Sequence, residues 1–122
     1  LDASTPIPTE IKLHQTSRVL ELSFANGSTF RLPYEYLRVH SPSAEVRGHG
    51  PGQETLQTGK EAVGITEVES VGHYAIRPTF SDGHSSGIYS WDYLYDLGVR
   101  QSELWQSYLE RMTAAGASRK AG

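Results

Sequence analysis

The sequence contains no cysteine among its 122 residues. Without thiols the chain has no disulfide, no thiolate nucleophile and no cysteine ligand for zinc or an iron–sulfur cluster. Any metal or acid–base chemistry would have to use its five histidines and its carboxylates. No two histidines show the H-E-x-x-H spacing that places a pair of metal ligands on one face of a helix.

Long apolar runs and positive charge are also scarce. No window approaches the roughly 18 apolar residues of a membrane-spanning helix, and the opening LDASTPIPTE is too polar for a signal peptide. The formal net charge is −3, and the only basic cluster is Arg119-Lys120, which gives phosphate backbones little to bind. We therefore expect a cytoplasmic protein that binds neither nucleic acid nor a membrane.

The chain does contain enough apolar side chains for one core, because hydrophobic residues make up 37% of it. Many of them alternate with polar residues, which is typical of half-buried strands. The alternating positions are Ile11, Leu13, Leu20, Leu22 and Phe24, then the run from Ile65 to Val71, then Tyr74, Ile76, Pro78 and Phe80. Gly72 marks the turn between the last two groups, and Pro78 predicts an edge strand or a bulge.

Two glycine turns determine how these strands pair. At Asn26-Gly27 a two-residue loop would send apolar side chains to opposite faces, so we predict a three-residue loop that pairs Leu22 with Phe30 and Leu20 with Leu32. Asp82-Gly83 predicts a second tight turn. A three-residue loop there would place His84 on the inner face opposite Phe80, whereas a two-residue loop would turn it outward.

Three helices are predicted. Pro33 suits the first position of a short helix near 33–40 that Ser41-Pro42 stops. Ser90 is a good N-cap for a helix from Trp91 to Leu97 that Gly98 ends. A final helix presents one apolar face made of Leu104, Trp105, Tyr108, Leu109 and Met112.

The predicted fold is therefore a small α+β domain of antiparallel β-hairpins or a meander, with a short helix near 33–40 and two C-terminal helices on one face. We expect a flexible lead-in at 1–7, the domain at 8–112 and a flexible tail at 113–122. The segment 48–64 has five glycines and predicts a long mobile loop, whose degree of order is left open.

Two polar segments are candidates for function: RVHSPSAEVRGHG, from Arg38 to Gly50, and the turn at Asp82-Gly83-His84. Residues of these segments can bind a partner, and Arg47 with nearby backbone N–H groups can bind an anion. The simpler interpretations are that the first segment is a solvated loop and the second a plain hairpin turn. None of the serines is predicted to lie in the strand-to-helix elbow that exposes a Gly-x-Ser-x-Gly nucleophile, so no catalytic residue is predicted. The binding candidates are His40, Ser41, Ser43, Glu45, Arg47, His49, Asp82, His84 and Trp91.

The motif VHSPSAEVRGHGPGQ, followed by VGITEVESVGHYAIRPTFSDGHSSGIYSWDYLYDLG, resembles the small bacterial proteins of the DUF971 class. This class is similar to the N-terminal domain of gamma-butyrobetaine hydroxylase. The resemblance covers roughly residues 8 to 112.

In the hydroxylase this domain binds zinc through a C-P-C-x-x-C loop and a histidine in a hairpin turn. The resemblance places the loop on Ser41, Pro42, Ser43 and Val46 and the histidine on His84. Because hydroxyls are poor zinc ligands and valine is none, we expect no metal and no other cofactor. We expect instead that His84 is held by hydrogen bonds to Ser41 or Ser43.

The resemblance implies an accessory module, because the oxygenase barrel of the hydroxylase with its iron ligands has no counterpart in this sequence. We therefore predict a non-catalytic binding module, with another protein as its partner and with the 38–50 loop and the 82–91 turn as its contact surface. Related domains appended to plastid carriers of iron–sulfur clusters suggest the docking of a client protein.

Two alternatives stay open. A metal-binding protein, linked to iron or iron–sulfur metabolism, would hold zinc or iron through His40, His49, His84 and either Glu45 or Asp82. A hydrolase would show perturbed titration of His84 and a substrate-sized pocket beside it. The sequence names neither the partner nor the pathway nor the oligomeric state.

Overall fold

Two three-stranded antiparallel sheets form the scaffold, in a computed structural model that describes residues 6–48 and 54–121. The first sheet has the order β1-β2-β3, with β1 at Pro8–His14, β2 at Val19–Phe24 and β3 at Thr29–Pro33. The second has the order β4-β5-β6, with β4 at Ile65–Val71, β5 at Ala75–Phe80 and β6 at Tyr89–Ser90. The helices are α1 (Tyr34–Val39), α2 (Ala44–Arg47), α3 (Trp91–Val99) and α4 (Gln101–Ala114). The predicted α+β class is confirmed.

The first hairpin has the register that the three-residue loop predicts. Leu22 pairs with Phe30, and Leu20 pairs with Leu32. Gly27 closes the loop with φ +90°, a left-handed conformation that glycine adopts without steric cost. As a result, Leu20 and Leu22 both point inward and are fully buried.

The second sheet differs from the prediction in two details. β5 is its middle strand, but β6 pairs only with Ala75 and Ile76, so Pro78 has a strand partner on one side alone. That is the edge environment a proline needs. Tyr74, expected on the buried face of the strand, lies instead in the turn that Gly72 starts and is 46% exposed. The pairing between β4 and β5 ends at Val71 and Ala75, so Tyr74 is not part of the strand.

One cluster of buried side chains contains residues of both sheets and of α1 and α3. Two buried tyrosines connect these elements through their hydroxyls: Tyr36 donates to the Leu97 carbonyl and Tyr89 to the Leu37 carbonyl, each at 2.6 Å. Burial raises the pKa of both phenols. Each ring therefore fills the core while its polar tip stays hydrogen-bonded.

Helix α3 begins as predicted and ends later. The Ser90 side chain accepts a hydrogen bond from the Tyr93 N–H, which is the expected N-cap. The prediction that Gly98 ends the helix is wrong, because α3 continues to Val99 with Arg100 as its C-cap. Gly98 is needed for packing instead: a Cβ there would lie 2.4 Å from Cγ of the Phe30 ring.

The residues after α4 turn back along the domain. Gly116 has φ +62°, and beyond it the Ser118 and Arg119 carbonyls accept hydrogen bonds from the N–H groups of Gly59 and Glu61, both at 2.9 Å. The backbone of the tail is thus hydrogen-bonded to the 59–61 segment. Residues 1–5 of the predicted lead-in and residues 49–53 of the predicted loop lie outside the described residues. In the described parts of the chain, no helix is long and apolar enough to cross a membrane.

The substitution Gly98→Ala tests the contact between α3 and Phe30. An alanine in a helix interior usually stabilises by about 0.5–1 kcal/mol relative to glycine, but here the added methyl group would overlap the ring. We expect the free energy of unfolding in urea to fall by about 1–3 kcal/mol, as in overpacked cores. Gly64→Ala, whose Cβ would meet its nearest atom at 3.8 Å, is the control and should change little. A more stable Gly98→Ala variant would contradict this packing.

Candidate functional site

The two polar segments meet at His84. The second turn is a three-residue loop, since the Phe80 N–H donates to the His84 carbonyl at 2.9 Å and the Gly83 N–H donates to the Phe80 carbonyl at 3.0 Å. This loop length places His84 opposite Phe80 on the inner face. The histidine is buried, with 7% of its surface exposed.

Both ring nitrogens of His84 have partners in the other polar segment. Nδ1 lies 3.1 Å from Glu45 Oε2, and Nε2 lies 2.8 Å from Ser41 Oγ. A carboxylate only accepts hydrogen bonds, so Nδ1 carries the hydrogen and Nε2 accepts from the Ser41 hydroxyl. Burial, reinforced by the charge of Arg38, lowers the pKa of His84 and outweighs the opposite effect of Glu45. The neutral imidazole is thereby favoured.

Ser43 plays a different part from Ser41. Its hydroxyl lies 2.7 Å from the Ser86 hydroxyl and also accepts the Glu45 N–H at 3.2 Å, so it caps α2. Of the two serines expected to hold His84, only Ser41 does so. The short helix α2 was not predicted, although a serine two residues before a glutamate is a usual start for one.

Gly87 allows the two segments to approach this closely. A Cβ on Gly87 would lie 2.4 Å from Ser41 Oγ and 3.3 Å from Cδ of Pro42. Any other residue would push the turn away from the loop. Sequence reasoning did not single out Gly87, because its requirement comes from a residue that is distant in the chain.

Asp82 anchors the turn to buried and half-buried cations. Its Oδ2 accepts from Arg38 Nε at 2.9 Å and from Lys60 Nζ, while Oδ1 accepts the His84 N–H at 3.2 Å. Burial alone would raise the pKa of Asp82, but the hydrogen bonds from Lys60 and His84 and the charge of Arg38 lower it to about 2. Arg38 also donates to Gln57 Oε1 at 3.0 Å. Arg38 begins the first polar segment but was not among the binding candidates, and nothing in the sequence singled out Lys60.

The remaining predicted residues lie apart from His84. His40 Nδ1 donates to the Tyr36 carbonyl, 2.9 Å away, and burial lowers the pKa of this histidine. The Arg47 guanidinium lies over the Tyr93 ring at 4.8 Å. Trp91 donates to the His73 carbonyl in the turn between β4 and β5. His49 lies outside the described residues.

The positions that correspond to the zinc loop do not fit a zinc ion. Ser41 is hydrogen-bonded directly to His84, Ser43 is hydrogen-bonded to Ser86, and Val46 is a buried aliphatic side chain. Neutral hydroxyls and a valine cannot complete a four-ligand site around one imidazole. Within residues 6–48 and 54–121, no group of three or more histidine or carboxylate side chains is placed to hold a metal ion.

Ser41, His84 and Glu45 are hydrogen-bonded in the order of a serine hydrolase triad. Ser41, however, is only 1% exposed and its hydroxyl packs against Gly87. The cavity beside Ser41 has a volume of about 120 Å³ and is not lined by His84, whereas ligand pockets usually measure about 300–1,000 Å³. The arrangement therefore joins two segments and does not present a nucleophile.

A protein-family model described as gamma-butyrobetaine hydroxylase-like, N-terminal, matches residues 11–95. Two NMR solution structures are similar to the chain, each with a TM-score of 0.84. One is 47% identical over 98% of this chain and 94% of its own, and the other is 50% identical over 99% and 90%. A crystal structure of a protein of unknown function from Acidithiobacillus ferrooxidans, assigned to the DUF971 family, is 45% identical over 75% of this chain and 91% of its own, with a TM-score of 0.64. No curated protein matches the chain.

Because two histidines are buried, we predict that the free energy of unfolding decreases in mild acid. The pKa values of His84 and His40 are lowered in the folded state, so the unfolded chain binds more protons once the pH drops below about 6.5, the ordinary pKa of histidine. The contribution of these two histidines to the free energy of unfolding is fully present above about pH 6.5. It is lost as the pH falls through their pKa values in the folded state. Urea unfolding at intervals between pH 8 and 5 should show the midpoint decreasing toward acid.

The variant His84→Gln should flatten this decrease, since it removes one of the two groups. The same substitution at His73, which is exposed in a turn, is the control and should leave the slope unchanged. Equal slopes for wild type and His84→Gln would contradict the role given to His84.

Placing thiols at the three loop positions should create a zinc site. In the triple variant Ser41→Cys, Ser43→Cys and Val46→Cys, three thiolates join His84, and the set matches a Cys₃His zinc site. We expect one zinc per chain by elemental analysis and thiolate-to-metal absorption with cobalt, and neither in wild type. The variant Ser41→Cys alone is the control. A triple variant that folds without zinc would show that loop and turn are not held where the zinc ligands need to be.

Proposed function

The chain belongs to the family of gamma-butyrobetaine hydroxylase-like N-terminal domains, which includes DUF971 proteins, and from this premise we propose that it is a non-catalytic module that binds another protein. Its contact face is formed by exposed residues of the 38–50 loop and the 82–91 turn, together with the start of α3. We define this face by Glu45, Arg47, Ile88 and Asp92. No cofactor takes part in this proposal.

The observation that carries the proposal is an exposed apolar residue on a rigid polar support. Ile88 is 45% exposed, and beside it the Arg47 guanidinium covers the Tyr93 ring at 4.8 Å. Arginine and tyrosine are the residue types most enriched at the centres of protein interfaces. A stacked arginine also loses little conformational freedom when a partner binds.

The support behind this face is held by side-chain hydrogen bonds between the loop and the turn. Ser41, Glu45 and Asp82 hold His84, and Ser43 holds Ser86. A pre-organised surface does not have to be ordered by the partner, which lowers the free-energy cost of binding. The buried state of Ser41 supports a non-catalytic role for the same residues.

The charges favour a partner segment that is apolar and net positive. Around Ile88 a shallow depression is lined by Arg47 together with Asp92 and Asp96, and Glu45 lies on the same loop with 71% of its side chain exposed. Two carboxylates and one guanidinium thus line the depression, and one of these carboxylates, Asp96, is also bonded to Arg100 at 3.4 Å. Complementary charges of this kind speed association and select partners more than they add affinity.

The contact face is tested by Ile88→Lys and Arg47→Ala in the full chain. The first places a positive charge on the face, which would repel a net positive partner, and the second removes the stacked guanidinium. Neither removes a buried contact, and each should reduce recovery of the wild-type partner from host extract by about tenfold or more. Recovery is measured by quantitative mass spectrometry after chemical crosslinking. Retained near-wild-type unfolding midpoints in urea would confirm that the variants are folded.

Ile11→Lys is the matched control, because Ile11 is 37% exposed on β1 and lies outside the face. It should recover the same partner as wild type. If Ile88→Lys and Ile11→Lys recover the same partner equally well, the face is not the binding surface.

A further inference from the structure

A second surface, formed by α1, the α3–α4 junction and the tail, carries a groove of about 450 Å³. Its walls include Tyr36, Val99 and Trp105, and Arg119 of the tail closes one side of it. No residue that defines the contact face lines this groove. It is therefore an independent surface.

A buried carboxylate lies at the end of the groove. The Glu35 side chain is 8% exposed, and both of its oxygens are engaged by one guanidinium: Arg119 Nε donates to Oε2 at 2.8 Å and Arg119 Nη2 to Oε1 at 2.7 Å. A carboxylate at this depth must be paired with a cation, because an unpaired buried charge is strongly unfavourable. The two-bond geometry matches the planar fork of arginine and not the single ammonium of lysine.

An aromatic face completes the site. The Arg119 guanidinium lies 5.3 Å from the centre of the Trp105 ring, a distance at which a cation is attracted to the ring electrons. Glu61 adds a second carboxylate 3.9 Å from Arg119. Glu35, Trp105 and Glu61 thus surround the place of one guanidinium on three sides.

The group that fills this place belongs to the tail. Arg119 lies three residues after Gly116, whose positive φ turns the chain back from α4. The tail around it, AGASRKA, is rich in glycine, alanine and serine, and its other contacts with the domain include the backbone hydrogen bonds to Gly59 and Glu61. The contact of the tail with the carboxylates of Glu35 and Glu61 is made by the Arg119 side chain.

We propose that Glu35 and Trp105 form a binding site for an arginine side chain of a partner protein, and that the chain's own Arg119 occupies this site until the partner displaces it. The site is negatively charged once Arg119 leaves, so it accepts only a cation in exchange. The groove beside it has room for the residues that flank the incoming arginine. The tail then acts as a tethered competitor, present at the millimolar effective concentration typical of a short link.

The test uses the full ¹⁵N-labelled chain and two synthetic peptides, acetyl-Ala-Ser-Arg-Ser-Ala-amide and the same peptide with neutral citrulline in place of arginine. The signals followed by NMR are the Trp105 indole N–H and the Ser118 amide. In wild type, the arginine peptide should shift the Trp105 signal and move the Ser118 amide toward its random-coil position. The citrulline peptide should do neither.

Removing the competitor should strengthen binding in trans. In Arg119→Ala the arginine peptide should bind at least ten times more tightly than in wild type, and in Glu35→Gln/Arg119→Ala its binding should be lost. Arg119→Lys, which keeps the charge and loses the fork, should give an intermediate affinity and replaces Arg119→Ala if that variant does not fold.

If Arg119 only holds the tail to the domain, a different result is expected. The variants would then be less stable, but the peptide would bind Arg119→Ala no better than wild type, and this would overturn the proposal. A concentration-dependent dimer in which Trp105 keeps its wild-type shift would assign the site to the tail of a second copy, and would overturn it too.

Discussion

The hydrogen bond from the Ser41 hydroxyl to His84 Nε2 joins two segments that are 43 residues apart in the sequence. The positions of Glu45, Ser43 and Ser86 follow from it, because each bridges the same two segments. The bond forms only because the turn brings His84 inward and Gly87 leaves room for Ser41. The hydrogen bond therefore sets the position of the loop relative to the turn.

A neutral hydrogen bond cannot stabilise a fold as a structural zinc does. One such bond contributes about 1 kcal/mol net, whereas zinc binding in small domains supplies roughly 10–16 kcal/mol. Without the metal that the resemblance to the hydroxylase domain would imply, the stability of this chain must come from its core. The shared cluster from both sheets, and the buried tyrosines that connect α1 to α3 and β6 to α1, meet that need.

The charged residues are arranged in separate groups that connect distant elements. Asp82 links the second turn to Arg38 of α1 and to Lys60, and Glu35 links α1 to the tail through Arg119. Glu35 is buried, whereas the Asp82 side chain is 24% exposed. Both carboxylates are paired with a guanidinium, which is the condition under which buried charges are tolerated. Helix α1, only six residues long, is thereby connected to each of the two polar surfaces of the molecule.

Local patterns were sufficient for much of the fold. The pairing of Leu22 with Phe30 follows from the two-residue period of strands and the length of one glycine turn, and the Ser90 cap follows from its hydroxyl. Gly98 could not be interpreted in this way. A glycine after an apolar run usually ends a helix, but here the ring of Phe30, 68 residues earlier in the chain, takes the space of its side chain.

The sequence by itself excluded one kind of chemistry: without cysteine the protein has no thiolate. Serine and valine stand at the positions that the resemblance assigns to zinc ligands. Only the tertiary structure decided which polar residues act together. It brought Ser41, Glu45 and His84 into contact, it separated His40 from them, and it paired Glu35 with Arg119 across 84 residues. The reason is physical: strand period and helix caps act over a few residues and can be read locally. Side-chain hydrogen bonds and ion pairs depend on how whole elements pack, which no local pattern records.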